Sequence, residues 1–80
     1  MSSRFNAILK GASLNDSSVD GGYTYYGFSR SEKSWVIMRV NTAETEYRYS
    51  VGSAAGGTTY AQAWSARTVL KYATANAYKY

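Results

Sequence analysis

The chain contains no cysteine, no histidine and no proline. Without cysteine it has neither disulfides nor thiolate metal sites. Without histidine it has no imidazole ligand, no imidazole general base and no histidine-centred triad. Acidic groups are few: Asp16, Asp20, Glu32, Glu44 and Glu46. Paired carboxylates need a cleft for acid–base work, and the natural place for Glu44 and Glu46 is a solvated hairpin tip. The glycine pairs Gly21-Gly22 and Gly56-Gly57 match neither the GxxxxGK[ST] nor the GxGxxG phosphate-binding pattern. From this inventory we expect no enzyme, no metal and no cofactor. Long apolar runs are missing too. The N-terminal Ala7-Ile8-Leu9 is far shorter than a signal-peptide core, and no stretch approaches the roughly 18–20 apolar residues of a membrane span. The expectation is a chain that is intracellular when made, without a membrane partner.

What is present fits one small domain of 80 residues, whose core is thin because so short a chain buries only about 60–65% of its unfolded surface. Nine tyrosines supplement the aliphatic residues. Tyrosine offers a large contact area at low entropic cost and is enriched at interfaces; it also suits solvent-facing strand positions. Both readings stand at this level. The net charge is +4, but Arg4, Lys10, Arg30, Lys33, Arg39, Arg48, Arg67, Lys71 and Lys79 are scattered, and no run of them marks a nucleic-acid footprint.

The organising stretch is Ser34 to Val51. Trp35 to Val40 is a β-branched and aromatic run apolar on both faces, which predicts a central strand. Tyr47, Tyr49 and Val51 alternate with Glu46, Arg48 and Ser50, which predicts a second strand after a polar loop at Asn41–Glu44. Tyr23–Phe28 is a further strand; its Gly27 suggests a bulge or a close approach. Met1–Lys10 is a short strand or an extended arm, and Gly11–Gly22 is a loop by composition, with Leu14 and Val19 as its anchors. After a flexible Gly52–Gly57, Thr58–Ala66 predicts a helical turn capped by Thr58 or Thr59, with Tyr60, Ala63 and Trp64 on one face. Arg67–Tyr72 is expected as a last strand, followed by a tail. The chain thus divides into an arm and loop (1–22), a meander (23–51) and a C-terminal portion (52–80). The expected fold is mainly β: a small antiparallel meander forming a sandwich or half-open barrel, with extended terminal arms.

The candidate core is Trp35, Ile37, Trp64 and Leu70. Arg67 is expected to stack on Trp64 or to pair with an acidic group at the hairpin. The best functional chemistry is aromatic and basic side chains interleaved. Tyr23, Tyr25, Tyr47 and Tyr49, with Arg30, Arg39 and Arg48 nearby, suit a stacking platform for single-stranded nucleic acid, a protein contact, or plain cross-strand packing. The terminal residues Phe5, Ile8, Leu9, Tyr78 and Tyr80 have little to bury against locally and suit contacts with a second copy.

Tyr25, Tyr26, Gly27 and Phe28, then Trp35, Ile37 and Arg39, then Trp64, Arg67, Leu70 and Tyr72 together resemble a group of small tailed-bacteriophage proteins of unassigned function. That group carries an aromatic–Gly–aromatic strand, a Trp-x-Ile-x-Arg strand and a Trp-x-x-Arg-x-x-Leu-x-Tyr segment. The resemblance covers roughly Tyr23 to Tyr72. The chain departs from it in the linker SRSEKS, which lacks the usual Gly or Pro, and at Ser65 and Ala66, where acidic residues are common. The resemblance implies a virion-associated or assembly protein without catalytic residues. The expected function is therefore a structural protein of a phage virion, in capsid decoration or in a tail or fibre, made in the host cytoplasm. It would form a homo-oligomer and bind other virion proteins, with Phe5, Ile8, Leu9, Tyr23, Tyr25, Tyr47, Tyr49, Tyr78 and Tyr80 at the contact. The alternative is a single-stranded nucleic-acid-binding β module.

Overall fold

The structure, a computed structural model, describes residues 11–52 and 57–74. Four antiparallel strands lie in one open sheet in the order β1-β2-β3-β4: β1 Ser13–Asp20, β2 Tyr23–Ser31, β3 Ser34–Asn41 and β4 Tyr47–Gly52. The mainly β meander expected from the alternation patterns is what the chain forms. A short helix, α1 (Tyr60–Ser65), lies against β2 and β3. The expected terminal arms lie outside the described residues.

β3 is central in the way its composition demands. Its neighbours are β2 and β4, and Val36 and Ile37, which point to opposite faces, are both fully buried. Register assigns every strand residue to a face. Asp16, Ser18 and Asp20 of β1 line up with Tyr23, Tyr25 and Gly27 of β2, then with Trp35, Ile37 and Arg39 of β3, then with Arg48, Ser50 and Gly52 of β4. This is the face that α1 covers. Tyr25, Trp35, Ile37 and Ala63 form its core, with Tyr60, Trp64, Leu70 and Tyr72 packed against them. The other face carries a second cluster of Val36, Met38, Val40 and Tyr49, bordered by Tyr26, Phe28 and Val51. Of the expected core, Trp35 and Ile37 are buried, and Trp64 and Leu70 flank the same cluster.

Two segments differ from expectation. The polar stretch expected as a loop is mostly the strand β1, paired with β2 from Ser13 to Asp20. Asp16, Ser18 and Asp20 stand on the face where α1 and the following chain supply partners, so their polarity does not exclude a strand. Gly21 and Gly22 close the hairpin with φ of 58° and 85°. Two positive φ values are what a tight two-residue turn needs to match the strand twist, and glycine adopts them without steric cost. β1 also carries an irregularity between Leu14 and Asp16, and there the Asn15 amide donates to Ser29 Oγ. Leu14 and Val19, expected as anchors, are 58% and 75% exposed.

The second difference is Arg67–Tyr72, which turns instead of forming a strand. The amides of Val69 and Leu70 bond back to the Ala66 carbonyl at 2.9 and 3.2 Å, and the Tyr72 hydroxyl donates to the Arg67 carbonyl at 2.7 Å. These local bonds satisfy backbone groups that a ladder would otherwise use. Among the described residues of this portion, Ala73 pairs with β4, exchanging bonds with Tyr49 at 2.7 and 2.9 Å.

The helix begins as its sequence suggests. The Thr59 hydroxyl accepts from the Gln62 amide at 3.2 Å while the Gln62 side chain accepts from the Thr59 amide at 3.0 Å, a reciprocal capping box. The Tyr60 amide donates to the Glu32 carbonyl at 2.6 Å, which fastens the helix start to the β2–β3 turn. Gly27 is a point of close approach, as expected, but to side chains. A Cβ there would meet the Tyr60 hydroxyl and lie 2.8–2.9 Å from the Trp64 ring. The β3–β4 loop manages without glycine because Glu44 itself takes φ 57°. The Asn41 side chain holds this loop by accepting from the Thr45 and Glu46 amides, both at 2.9 Å.

Candidate functional site

Two groups of polar and aromatic side chains stand on the helix-covered face. The first centres on Arg67. Its Nη1 donates to the Trp64 carbonyl at 2.8 Å, its Nε to Asp20 Oδ2 at 3.2 Å and its Nη2 to Ser18 Oγ at 3.2 Å. The Nη2–Asp20 ion pair spans 3.1 Å, and the guanidinium lies 4.6 Å from the Trp64 ring centre. Ser18 Oγ in turn donates to Asp20 at 2.6 Å. The expected stacking on Trp64 is present, while the acidic partner is Asp20 at the β1–β2 turn and not a group of the β3–β4 hairpin. Beside this network the Tyr60 hydroxyl donates to Asp16 at 2.7 Å. Burial first, and Asp16 second, push the Tyr60 phenol well above its ordinary range. With Asp16, Ser18, Asp20, Tyr60 and Arg67 each partnered, the cluster is built as a clasp between β1 and the helix with the chain that follows it.

The clasp gives stability a dependence on pH. The Ser18 hydroxyl first, and Arg67 next, hold the Asp20 carboxyl below its ordinary value of 3.8, against an opposing desolvation. A carboxyl depressed in the folded state stabilises above its unfolded pKa, and that contribution is lost as pH falls through the folded value. The thermal midpoint should therefore drop on acidification below about pH 4, and Asp20→Asn should flatten that limb. Equal midpoint losses in parent and variant between pH 5 and pH 2 would show that Asp20 plays no part.

The second group centres on Arg39, at the end of β3 nearest the hairpin turns. Its guanidinium carbon lies 4.5 Å from the Tyr23 ring centre and 4.7 Å from that of Tyr72. Tyr25 completes the enclosure, with ring centres 6.3 Å from Tyr23 and 6.0 Å from Tyr72. Arg48 is the direct cross-strand partner of Arg39. Arg48 has Glu46 at 3.9 Å, a length at which an exposed pair contributes little. Arg39 has no hydrogen-bond acceptor among the described residues, and its Nε is buried without one. Burial pushes the Tyr72 phenol up in spite of the Arg39 charge beside it.

The tyrosines expected to share one platform are divided between the faces. Tyr23 and Tyr25 stand with Arg39 and Arg48, while Tyr47 and Tyr49 stand on the opposite face with Met38 and Val40. Tyr25 and Tyr49 are only 3% and 4% exposed, which corrects their assignment to an interface. Tyr25 is covered by Tyr72 and the helix-side cluster, Tyr49 by the cluster on its own face. Tyr23 and Tyr47 are exposed, as a contact surface needs. Phe5, Ile8, Leu9, Tyr78 and Tyr80 lie outside the described residues. Glu44 and Glu46 sit in the loop before β4 and do not share a strand face.

Sequence reasoning missed Asp16, Ser18 and Asp20 as partners of the C-terminal portion. Their i, i+2, i+4 spacing just before a Gly-Gly pair is the signal that points to them. Among the described residues no group of His, Cys, Asp or Glu is placed to hold a metal ion, and no helix is long and apolar enough to cross a membrane. Comparison with protein-family models, curated proteins and solved structures finds no match for this chain.

Proposed function

We propose that this protein is a non-enzymatic structural subunit that assembles with copies of itself and with neighbouring chains, in a phage virion, as capsid decoration or part of a tail or fibre. The observation that carries the assembly reading is the outer edge of the sheet. β4 has part of its outer side occupied by Ala73, whereas β1 has β2 on one side and no described strand on the other. Such an edge is a template for pairing with another chain. β1 has no proline, it presents Leu14 and Val19 to solvent, and both residues stand on the face opposite α1. The irregularity at Leu14–Asp16 spoils regular pairing at one end, so Ser17–Asp20 is the segment we assign to the contact. The virion setting rests on the resemblance of the Trp35 and Trp64 motifs to small tailed-phage proteins.

Light scattering after size exclusion tests the assembly reading. The parent chain should elute as an oligomer, and Val19→Lys with Leu14→Lys should give monomers without loss of β signal in circular dichroism. A parent chain that is monomeric at high concentration, or a double variant that keeps the parental mass, would overturn it.

A further inference from the structure

We infer that Arg39 and Arg48, framed by Tyr23 and Tyr72, form a binding site for a phosphate group. The argument begins with what these side chains lack. A guanidinium carries five N–H donors, and inside a protein such donors are normally matched by carboxylates, carbonyls or water. Arg39 is held between two rings that satisfy its charge through their faces but accept no conventional hydrogen bond from it. Its buried Nε has no acceptor. Its Nη groups have none among the described residues either, and Arg39 as a whole is half-buried. Arg67 shows the contrast: all its donor nitrogens are engaged by Asp20, Ser18 and Trp64.

The second cation sharpens the point. Arg48 sits directly across from Arg39 on the next strand, on the same face, and like charges in that relation destabilise a sheet. An anion between them removes the conflict. The acids of this face are already committed. Asp20 pairs with Arg67 and Asp16 accepts from Tyr60, while Glu46 stands beside Arg48 at the rim.

The number of oxygens selects the anion. One arginine fork satisfies both oxygens of a carboxylate, whereas a phosphate has oxygens left for a second guanidinium. Tyr23, 37% exposed beside the clamp, offers a ring on which a nucleobase can stack. The phosphate can belong to a single-stranded nucleic acid or be free inorganic phosphate, and the site chemistry is the same for both. This inference is independent of the edge-strand assembly reading, since β1 contributes nothing to the site.

The test titrates the full chain with fluorescein-labelled oligothymidylate and, separately, with inorganic phosphate, following the Arg39 Nε–Hε resonance by NMR. Binding of either probe with a shift of that resonance supports the site and identifies the source. With the oligonucleotide, Arg48→Gln should weaken binding roughly 10–100-fold, the loss of one charge-assisted contact, and reduce the slope of log K against log salt by about 0.7. Arg39→Lys, which keeps the charge and loses the fork, should weaken either probe. Arg48 is a surface side chain, so its variant keeps the test valid should Arg39 variants unfold. Absence of binding to both probes, binding that leaves the Arg39 resonance unmoved, unchanged affinity in Arg48→Gln, or binding only to a polyglutamate peptide would each overturn the inference.

Discussion

Trp35→Ala should cost about 3–5 kcal/mol, the range for deleting a buried indole, and leave a domain of this size with little or no folded population. The indole is 4% exposed and belongs to the cluster with Tyr25, Ile37 and Ala63. Its loss opens a cavity in the layer between sheet and helix, and a thin core has few atoms with which to fill it. A hydrogen bond is lost as well. Trp35 Nε1 donates to the Thr58 carbonyl at 3.0 Å, which ties β3 to the residue just before the helix cap. Trp35→Phe separates the two terms: it retains much of the volume and should lose about 1 kcal/mol for the bond together with a smaller packing deficit. Urea denaturation followed by far-ultraviolet circular dichroism reads both variants. A Trp35→Ala chain whose urea midpoint matches the parent would falsify the placement of this residue at the centre of the core.

The second large effect is expected from the smallest change, Gly52→Ala. Gly52 pairs with Trp35 across β3 and β4, and the indole packs directly against the glycine. A Cβ at position 52 would overlap Nε1 and the adjoining Cε2 and Cζ2 of the ring. Since Trp35 is enclosed and anchored through Thr58, the ring cannot swing aside. Overpacking of this kind costs about 1–3 kcal/mol, more than the ordinary benefit of replacing a strand glycine by alanine. The arrangement, an aromatic ring laid across a glycine on the neighbouring strand, covers backbone that would otherwise be open to water. The overlap makes the two sites strongly coupled. In a double-mutant cycle with Trp35→Phe, the smaller ring should recover part of the Gly52→Ala loss, giving an interaction energy of at least about 0.5 kcal/mol. Additive losses in that cycle would mean that the alanine is accommodated by backbone movement and that the ring does not set the penalty.

How far the fold was legible follows from the kind of signal each segment carries. β3 and β4 announce themselves, because Trp35–Val40 is a continuous run of β-branched, aromatic and other apolar residues and Tyr47–Val51 alternates in a way that no helix would use. Thr59 and Gln62 spell out a capping box, and the helix follows. β1 is illegible from composition, since Ser, Asn and Asp are turn formers; its hydrogen-bonding partners are forty-odd residues later in the chain, where Tyr60 and Arg67 receive Asp16, Ser18 and Asp20. Tyr25 and Tyr49 illustrate a second limit. Alternation places Tyr25 beside Tyr23 on one face, but only the tertiary return of Tyr72 decides that one is buried and the other is not. The candidate site was partly visible: Arg39 and Arg48 were natural companions for Tyr23, whereas the ring of Tyr72 on the other side of Arg39 depends on a turn that strand periodicity concealed.

The order of the strands has a kinetic consequence. In a meander each strand pairs with its immediate sequence neighbour, so the loops closed on the way to the sheet are short and their entropic cost is low. The distant links are those from β1 to the chain beyond the helix, Asp16 to Tyr60 and Asp20 to Arg67, which close only after the hairpins exist to align them. The folding barrier is thus expected to lie in the pairing of the strands, and the clasp to act afterwards, on the lifetime of the folded state: contacts made after the barrier slow unfolding and leave the rate of folding nearly untouched. A small domain built this way collapses rapidly and locks late.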